Sequence, residues 1–147
     1  MEVRLAPPRA GATRIEVPSP CDDTHTVSPT VLIIDDHAAF RVGARALLAV
    51  DGYDVIGEAA DGQSGLDAAA ALQPEVVLLD VRLPDMDGFA VADALAARGS
   101  GAAIVITSSS DDPLYPERAI GSGARGFVAK HDVSGPTLDR LLAGPPA

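Results

Sequence analysis

Apolar residues along this chain gather into short unbroken runs, and between the runs lie longer segments with helical spacing. Val31–Ile34 is the first run and ends in the acid pair Asp35-Asp36. A segment from about His37 to Ala49 follows, with Phe40, Val42, Ala44, Leu47 and Leu48 read as one helical stripe and Gly52 as its terminator. Tyr53–Ala59 reads as a second strand around Val55 and Ile56. Asp61 is placed to cap an alanine-rich helix over 62–72. Val76–Leu79 runs without interruption into Asp80, and a loop with Pro84 and Gly88 leads to a helix over 89–97. Ala102–Thr107 is a fourth strand. A polar loop then leads to a short, weakly periodic helix at 114–120 that contains Pro116. Gly126–Ala129 is a fifth strand ending at Lys130, and a last helix lies at 135–142.

Continuous apolar runs of four to six residues, bounded by turn residues, are the mark of strands buried on both faces. Their regular alternation with helices predicts an α/β fold, a doubly wound five-stranded parallel sheet with helices on both faces. Residues 1–30 carry five prolines and no sustained period. They are expected to form a disordered extension, with the ordered domain at 31–143 and a short tail at 144–147. Cys21 and His25 fall in the extension, and two possible ligands there make only a weak metal signal.

Carboxyl ends of parallel strands share one edge of the sheet, where open α/β folds place their ligands. Asp35 and Asp36, Asp80, Thr107 and Lys130 each close a different strand and so converge on one rim. Three neighbouring carboxylates repel one another, and a hard divalent cation relieves the repulsion. All-oxygen donors with few protein ligands suit Mg²⁺, which recruits phosphate oxygens. Asp80 is then a candidate nucleophile toward a phosphoryl group, with Lys130 and Thr107 as cation and hydroxyl for its oxygens. No glycine-rich phosphate loop is present, so a nucleotide is not the evident donor. His37 reads as either an additional ligand or a polar residue opening the helix.

Composition narrows the partners. A net charge of -10 repels nucleic acid, so direct nucleic-acid binding by this chain is not expected. One cysteine excludes an internal disulfide and fits a reducing, cytoplasmic setting. No apolar run approaches a membrane span, and no secretory leader is recognisable at the Met-Glu-Val-Arg start.

Four motifs in order resemble the receiver domains of two-component response regulators over about residues 30–143. They are Leu32–His37, Leu78–Asp80 with Leu83–Gly88, Ile106–Ser108, and Gly123–Lys130. Asp35-Asp36-His37 followed by Phe40–Gly43 is most similar to the subgroup that carries a C-terminal helix-turn-helix domain. The resemblance implies a flavodoxin-like (βα)5 fold and a phosphorelay role. Asp80 would accept a phosphoryl group from a phosphohistidine of a sensor histidine kinase. Asp35, Asp36, Asp80 and the backbone carbonyl of Arg82 would hold Mg²⁺. Thr107 and Lys130 would contact the phosphoryl group. Phe127, three residues before Lys130, would be the aromatic switch residue paired with Thr107; its alternative is a core aromatic of the fifth strand. The usual proline after the lysine is replaced by His131, and Ser108 competes with Thr107 for the hydroxyl role.

The expected action is a change of protein–protein contacts, with a homodimer or a downstream protein as partner and without enzymatic turnover. A truncated or degenerate relative of a DNA-binding regulator, acting by binding alone, is the alternative. A Mg²⁺-dependent aspartyl-phosphate phosphatase would want an acid two residues after Asp80, where Arg82 stands.

Overall fold

The computed structural model describes residues 28–143. The extension as far as residue 27, with Cys21 and His25, and the tail at 144–147 lie outside the described residues. Five strands, β1 (Thr30–Ile34), β2 (Asp54–Ala59), β3 (Val76–Asp80), β4 (Ala103–Ser108) and β5 (Gly126–Ala129), form one parallel sheet in the order β2-β1-β3-β4-β5. Between and after them run α1 (Ala38–Val50), α2 (Gly62–Leu72), α3 (Gly88–Ala97), α4 (Tyr115–Gly121) and α5 (Gly135–Ala143). The first strand starts at Thr30, one residue before the predicted domain boundary. Its backbone and hydroxyl exchange hydrogen bonds with Glu75 just before β3.

Side chains alternate along each strand and divide the core in two. Leu32, Ile34, Val77, Leu79, Ile104 and Ile106 face α2, α3 and α4, where they meet Leu66, Ala69, Phe89, Leu95, Tyr115 and Ala119. Val31, Ile33, Val76, Leu78, Val105 and Val128 face α1 and α5, against Ala44, Leu48 and Leu138. Leu48 and Leu138 are fully buried, each contributing about 1.5–3 kcal/mol relative to exposure.

The stripe predicted for α1 needs correction. Phe40, Ala44 and Leu48, spaced four apart, form the face against the sheet. Val42 and Leu47 are 67% and 43% exposed, because they lie off that four-residue row. Arg41 and Arg45 occupy the flank, and both donate to Glu58 on β2, at 3.0 and 2.6 Å. Those bonds, Arg45's above all, hold the Glu58 carboxyl below its ordinary range. In α4, Pro116 sits in the first turn, where no intrahelical N–H is needed. That explains why this proline is compatible with the helix, which starts one residue later than predicted.

Helix α5 is tied to the opposite end of α1. The Asp51 carboxylate accepts from the Gly135 N–H at 2.8 Å, and Tyr53 donates to Asp139 at 2.5 Å. Burial, with the Asp139 carboxylate beside it, pushes the Tyr53 hydroxyl above the usual tyrosine range.

The sharp turn after β3 depends on Gly88. Its N–H donates to Val81 O at 2.6 Å, and a Cβ there would overlap the Asp80 carbonyl oxygen and press on Val81 Cα. Backbone on both sides leaves no flexible atom to yield. Gly88→Ala is expected to destabilise the fold by about 2–3 kcal/mol, read as a lower urea midpoint with an unchanged slope.

Candidate functional site

Parallel pairing lines up the site. Asp80 is the register partner of Thr107, and Thr107 of Val128, two residues before Lys130. Ile34 pairs with Leu79, which places Asp35 level with Asp80. Asp35, Asp80, Thr107 and Lys130 therefore come from four strands to one spot on the α1/α5 side. The two acids follow β1 and β3, the strands flanking the point where the strand order reverses.

The carboxylates are buried and short of partners. Asp35 and Asp80 are 1% and 3% exposed. Lys130 Nζ lies 2.7 Å from Asp35 Oδ2 and 3.4 Å from Asp80 Oδ2, and 4.8 Å from the Phe40 ring centroid. The ammonium is paired with Asp35 Oδ2 but out of line for a hydrogen bond, so that oxygen keeps unused acceptor capacity. Asp80 Oδ1 receives only a long bond from the Arg82 N–H, 3.4 Å. Burial raises the Asp80 pKa above the ordinary aspartate value, and the neighbouring Asp35 charge adds to it; Lys130 opposes both. Asp36 and His37 stand at the open side. One ligand atom from each of Asp35, Asp36, His37 and Asp80 lies within 4.8 Å of the others.

Such a donor set fits a hard divalent cation. Oxygen donors dominate, an ion-paired acceptor on Asp35 takes no hydrogen bond, and the sum of charge is negative. Arg82 follows the site in the loop, and its N–H points back to Asp80, which puts this residue beside the carboxylate whose cation its carbonyl was expected to share.

Thr107 is 1% exposed, and its Oγ1 has no hydrogen-bond partner. An unsatisfied buried hydroxyl on the same face as Asp80 costs free energy, and a ligand oxygen there would satisfy it. Ser108 is not its equal. It follows Thr107 in the strand and so faces the other way, and its Oγ accepts from the Ser110 N–H at 3.0 Å. Phe127 lies on the α4 side, half-buried, with its ring 5.9 Å from Tyr115, which in turn is 5.8 Å from Phe89. Arg118 stacks on Phe89 at 4.1 Å.

Two positioning features escaped the sequence reading. Arg41 Nη1 donates to the Asp35 carbonyl at 2.6 Å and holds the acid-pair turn. Asp85 accepts from the Gly62 and Gln63 N–H groups at 2.7 and 2.9 Å. It binds the loop after Asp80 to the first turn of α2, and those two bonds keep its carboxyl below the ordinary range. An arginine four residues into α1 was the only sequence signal for the first. The Asp85 contact spans more than twenty residues and left none.

Comparison with known proteins decides the family. The model of the response regulator receiver domain matches residues 31–138. The chain belongs to the response regulator receiver domain family. This receiver is 38% identical over 102 residues to the virulence factors putative positive transcription regulator BvgA of Bordetella pertussis, covering 69% of the chain and 49% of that protein. Identity to the probable transcriptional regulatory protein NarL of Mycobacterium tuberculosis is 39% over 101 residues, 68% of the chain and 47% of that protein. The chain thus spans about half the length of the curated relatives it matches. Among solved structures, the signal receiver domain of the putative response regulator NarL from Mycobacterium tuberculosis superposes with a TM-score of 0.72 at 33% identity. That match covers 79% of this chain and 98% of that one. The five-stranded parallel sheet expected from the strand pattern, and the flavodoxin-like fold the resemblance implies, are the fold observed.

The raised pKa of Asp80 fixes the sign of a pH effect. Asp80 holds its proton more tightly folded than unfolded, so ionising it costs stability. The cost appears as pH rises from the unfolded aspartate value through the raised folded one, and persists above it. Asp80→Asn should therefore exceed the wild type in stability at pH 7 by about 1 kcal/mol. The difference should vanish near pH 3, below the unfolded value of about 3.9. Urea unfolding of both proteins at the two pH values measures it.

Proposed function

We propose that this receiver is the phosphoacceptor of a two-component phosphorelay, taking a phosphoryl group from a phosphohistidine of a sensor histidine kinase onto Asp80. The observation that carries this reading is the buried, under-partnered Asp80 with an unsatisfied Thr107 hydroxyl at the same register position and Lys130 across from both.

The roles follow from placement. Asp80 presents its carboxylate at the rim, with Oδ1 as the less committed oxygen. It attacks phosphorus in line, and the bond to the donor imidazole nitrogen breaks as the new P–O bond forms. Asp35 and Asp36, with Asp80 and the Arg82 carbonyl, would hold Mg²⁺, which when bound neutralises charge on the transferring group. Lys130 shifts from its carboxylate partners to a phosphoryl oxygen, and Thr107 donates its hydroxyl to another. Drawing Thr107 toward the phosphoryl group alters the end of β4, beside Phe127 and, through it, Tyr115 of α4. Phosphorylation thereby biases a surface that binds another protein, either a second copy or a downstream partner.

The chain acts as a signalling module in the cytoplasm rather than as an enzyme. Among the described residues no helix is long and apolar enough to cross a membrane. Arg82 occupies the place where an aspartyl-phosphate phosphatase would need a general acid, which speaks against that alternative.

Incubation with Mg²⁺ and acetyl phosphate, followed by intact mass measurement, is expected to show one phosphoryl adduct per chain. Asp80→Asn should abolish the adduct, and Lys130→Ala should slow its formation about 100-fold. The absence of any adduct would support the binding-only alternative, and rapid multiple turnover of the donor would support the phosphatase.

A further inference from the structure

His37 stands closer to the acid cluster than a helix-opening residue needs to. It precedes α1 as the N-cap residue, yet makes no side-chain cap. Its ring stays largely exposed and sets one nitrogen against the acid pair instead. Nδ1 lies 3.2 Å from Asp35 Oδ1, 3.2 Å from Asp36 Oδ1 and 3.3 Å from Lys130 Nζ. Ligand atoms about 2.1 Å from a metal in cis octahedral positions are about 3.0 Å apart. About 2.0 Å and tetrahedral geometry gives about 3.3 Å. The two His37 separations fall within that interval, so the imidazole nitrogen stands at ligand-to-ligand distance from each of two carboxylate oxygens.

The occupant of the centre points the same way. The Lys130 ammonium touches Asp35, Asp80 and His37 together and stands in for a cation among their donor atoms. Within that ion pair Asp35 Oδ2, almost fully buried, accepts no hydrogen bond and so keeps acceptor capacity toward the same space.

We propose that His37 Nδ1 completes a three-oxygen, one-nitrogen site with Asp35, Asp36 and Asp80 that takes a borderline first-row cation of the Zn²⁺ class more tightly than Mg²⁺. Imidazole raises affinity along the Irving–Williams order and contributes little to Mg²⁺, which prefers oxygen and keeps its waters. The inference rests on reading these carboxylates as a cation site, and it adds metal discrimination to it. Zn²⁺ and Mg²⁺ then compete for the acids that surround Asp80, so the identity of the bound cation tunes phosphoryl acceptance. Among the described residues no other histidine or cysteine joins the cluster; His131 lies next to Asp132 instead.

The test is metal binding by the full chain without a phosphodonor. Zn²⁺ and Mg²⁺ affinities are measured by competition with a chromophoric chelator for wild type, His37→Ala, His37→Gln and Asp36→Ala. Both His37 variants should weaken Zn²⁺ at least about tenfold and change Mg²⁺ affinity less than about twofold. Asp36→Ala should weaken both metals. Electron paramagnetic resonance with Cu²⁺ should show nitrogen coupling that His37→Ala removes. Unchanged Zn²⁺ affinity in the two His37 variants, or coupling that survives in His37→Ala, overturns the proposal and places any Zn²⁺ elsewhere on the chain. Phosphorylation of the wild type with Mg²⁺ alone reports separately on the phosphoacceptor reading, so the two fail independently.

Discussion

Two buried carboxylates share one ammonium at the carboxyl edge of the sheet. Asp35 takes the close contact with Lys130 and Asp80 the distant one, so Asp80 is left desolvated and only partly compensated. In water two neighbouring acids would cost little; at 1% and 3% exposure Asp35 and Asp80 cost several times more, because the surrounding medium screens them poorly. The rest of the molecule holds that arrangement in place. The apolar runs of β1 and β3 fix the two acids at one level, Arg41 fastens the Asp35 turn, and Gly88 lets the chain turn back tightly beneath Asp80. Asp85 anchors the following loop to α2. Each of these elements removes a way for the carboxylates to move apart or rotate into solvent, which is how they would otherwise relieve the repulsion.

An unrelieved negative cluster is a poor structural device and a good receptor. Replacing a buried ionic group by a neutral one of similar shape is often neutral or stabilising, so this cluster is not explained by stability. On the proposed reading, a divalent metal and a phosphoryl group would together supply what it lacks: positive charge for the acids and an acceptor for the Thr107 hydroxyl. The same parallel register carries the consequence outward. Thr107 and Phe127 lie on adjacent strands one register step apart and on opposite faces, and Phe127 meets Tyr115 and, through it, Phe89 on the α4 side, so the proposed change at Thr107 has a packed route outward.

Much of this was legible in the residue pattern. Val76–Asp80 was readable to the residue because an apolar run ending in an acid has one natural boundary, and Asp61 was identifiable as a cap, since its carboxylate does accept from Ser64 at 2.8 Å. Convergence at the rim followed from parallel strands alone. Which face each residue takes did not, since a one-residue shift in register exchanges the faces, and that is what separates Thr107 from Ser108. Val42 and Leu47 were misread because α1 is narrow at its contact: three residues reach the sheet and arginines flank them. The Asp85 bonds to α2, the Asp51 bond to α5 and the Tyr53–Asp139 pair were invisible, because each joins segments far apart in sequence through ordinary polar residues.

Asp80, with a divalent cation beside it, is proposed to carry a phosphoryl group. Beryllium trifluoride, a stable mimic of a phosphoryl group on a carboxylate, tests it directly by fluorine NMR of the purified chain. The account predicts one set of bound resonances that requires Mg²⁺ and disappears in Asp80→Asn. Bound resonances that persist in Asp80→Asn, or none in the wild type with Mg²⁺ present, would contradict it.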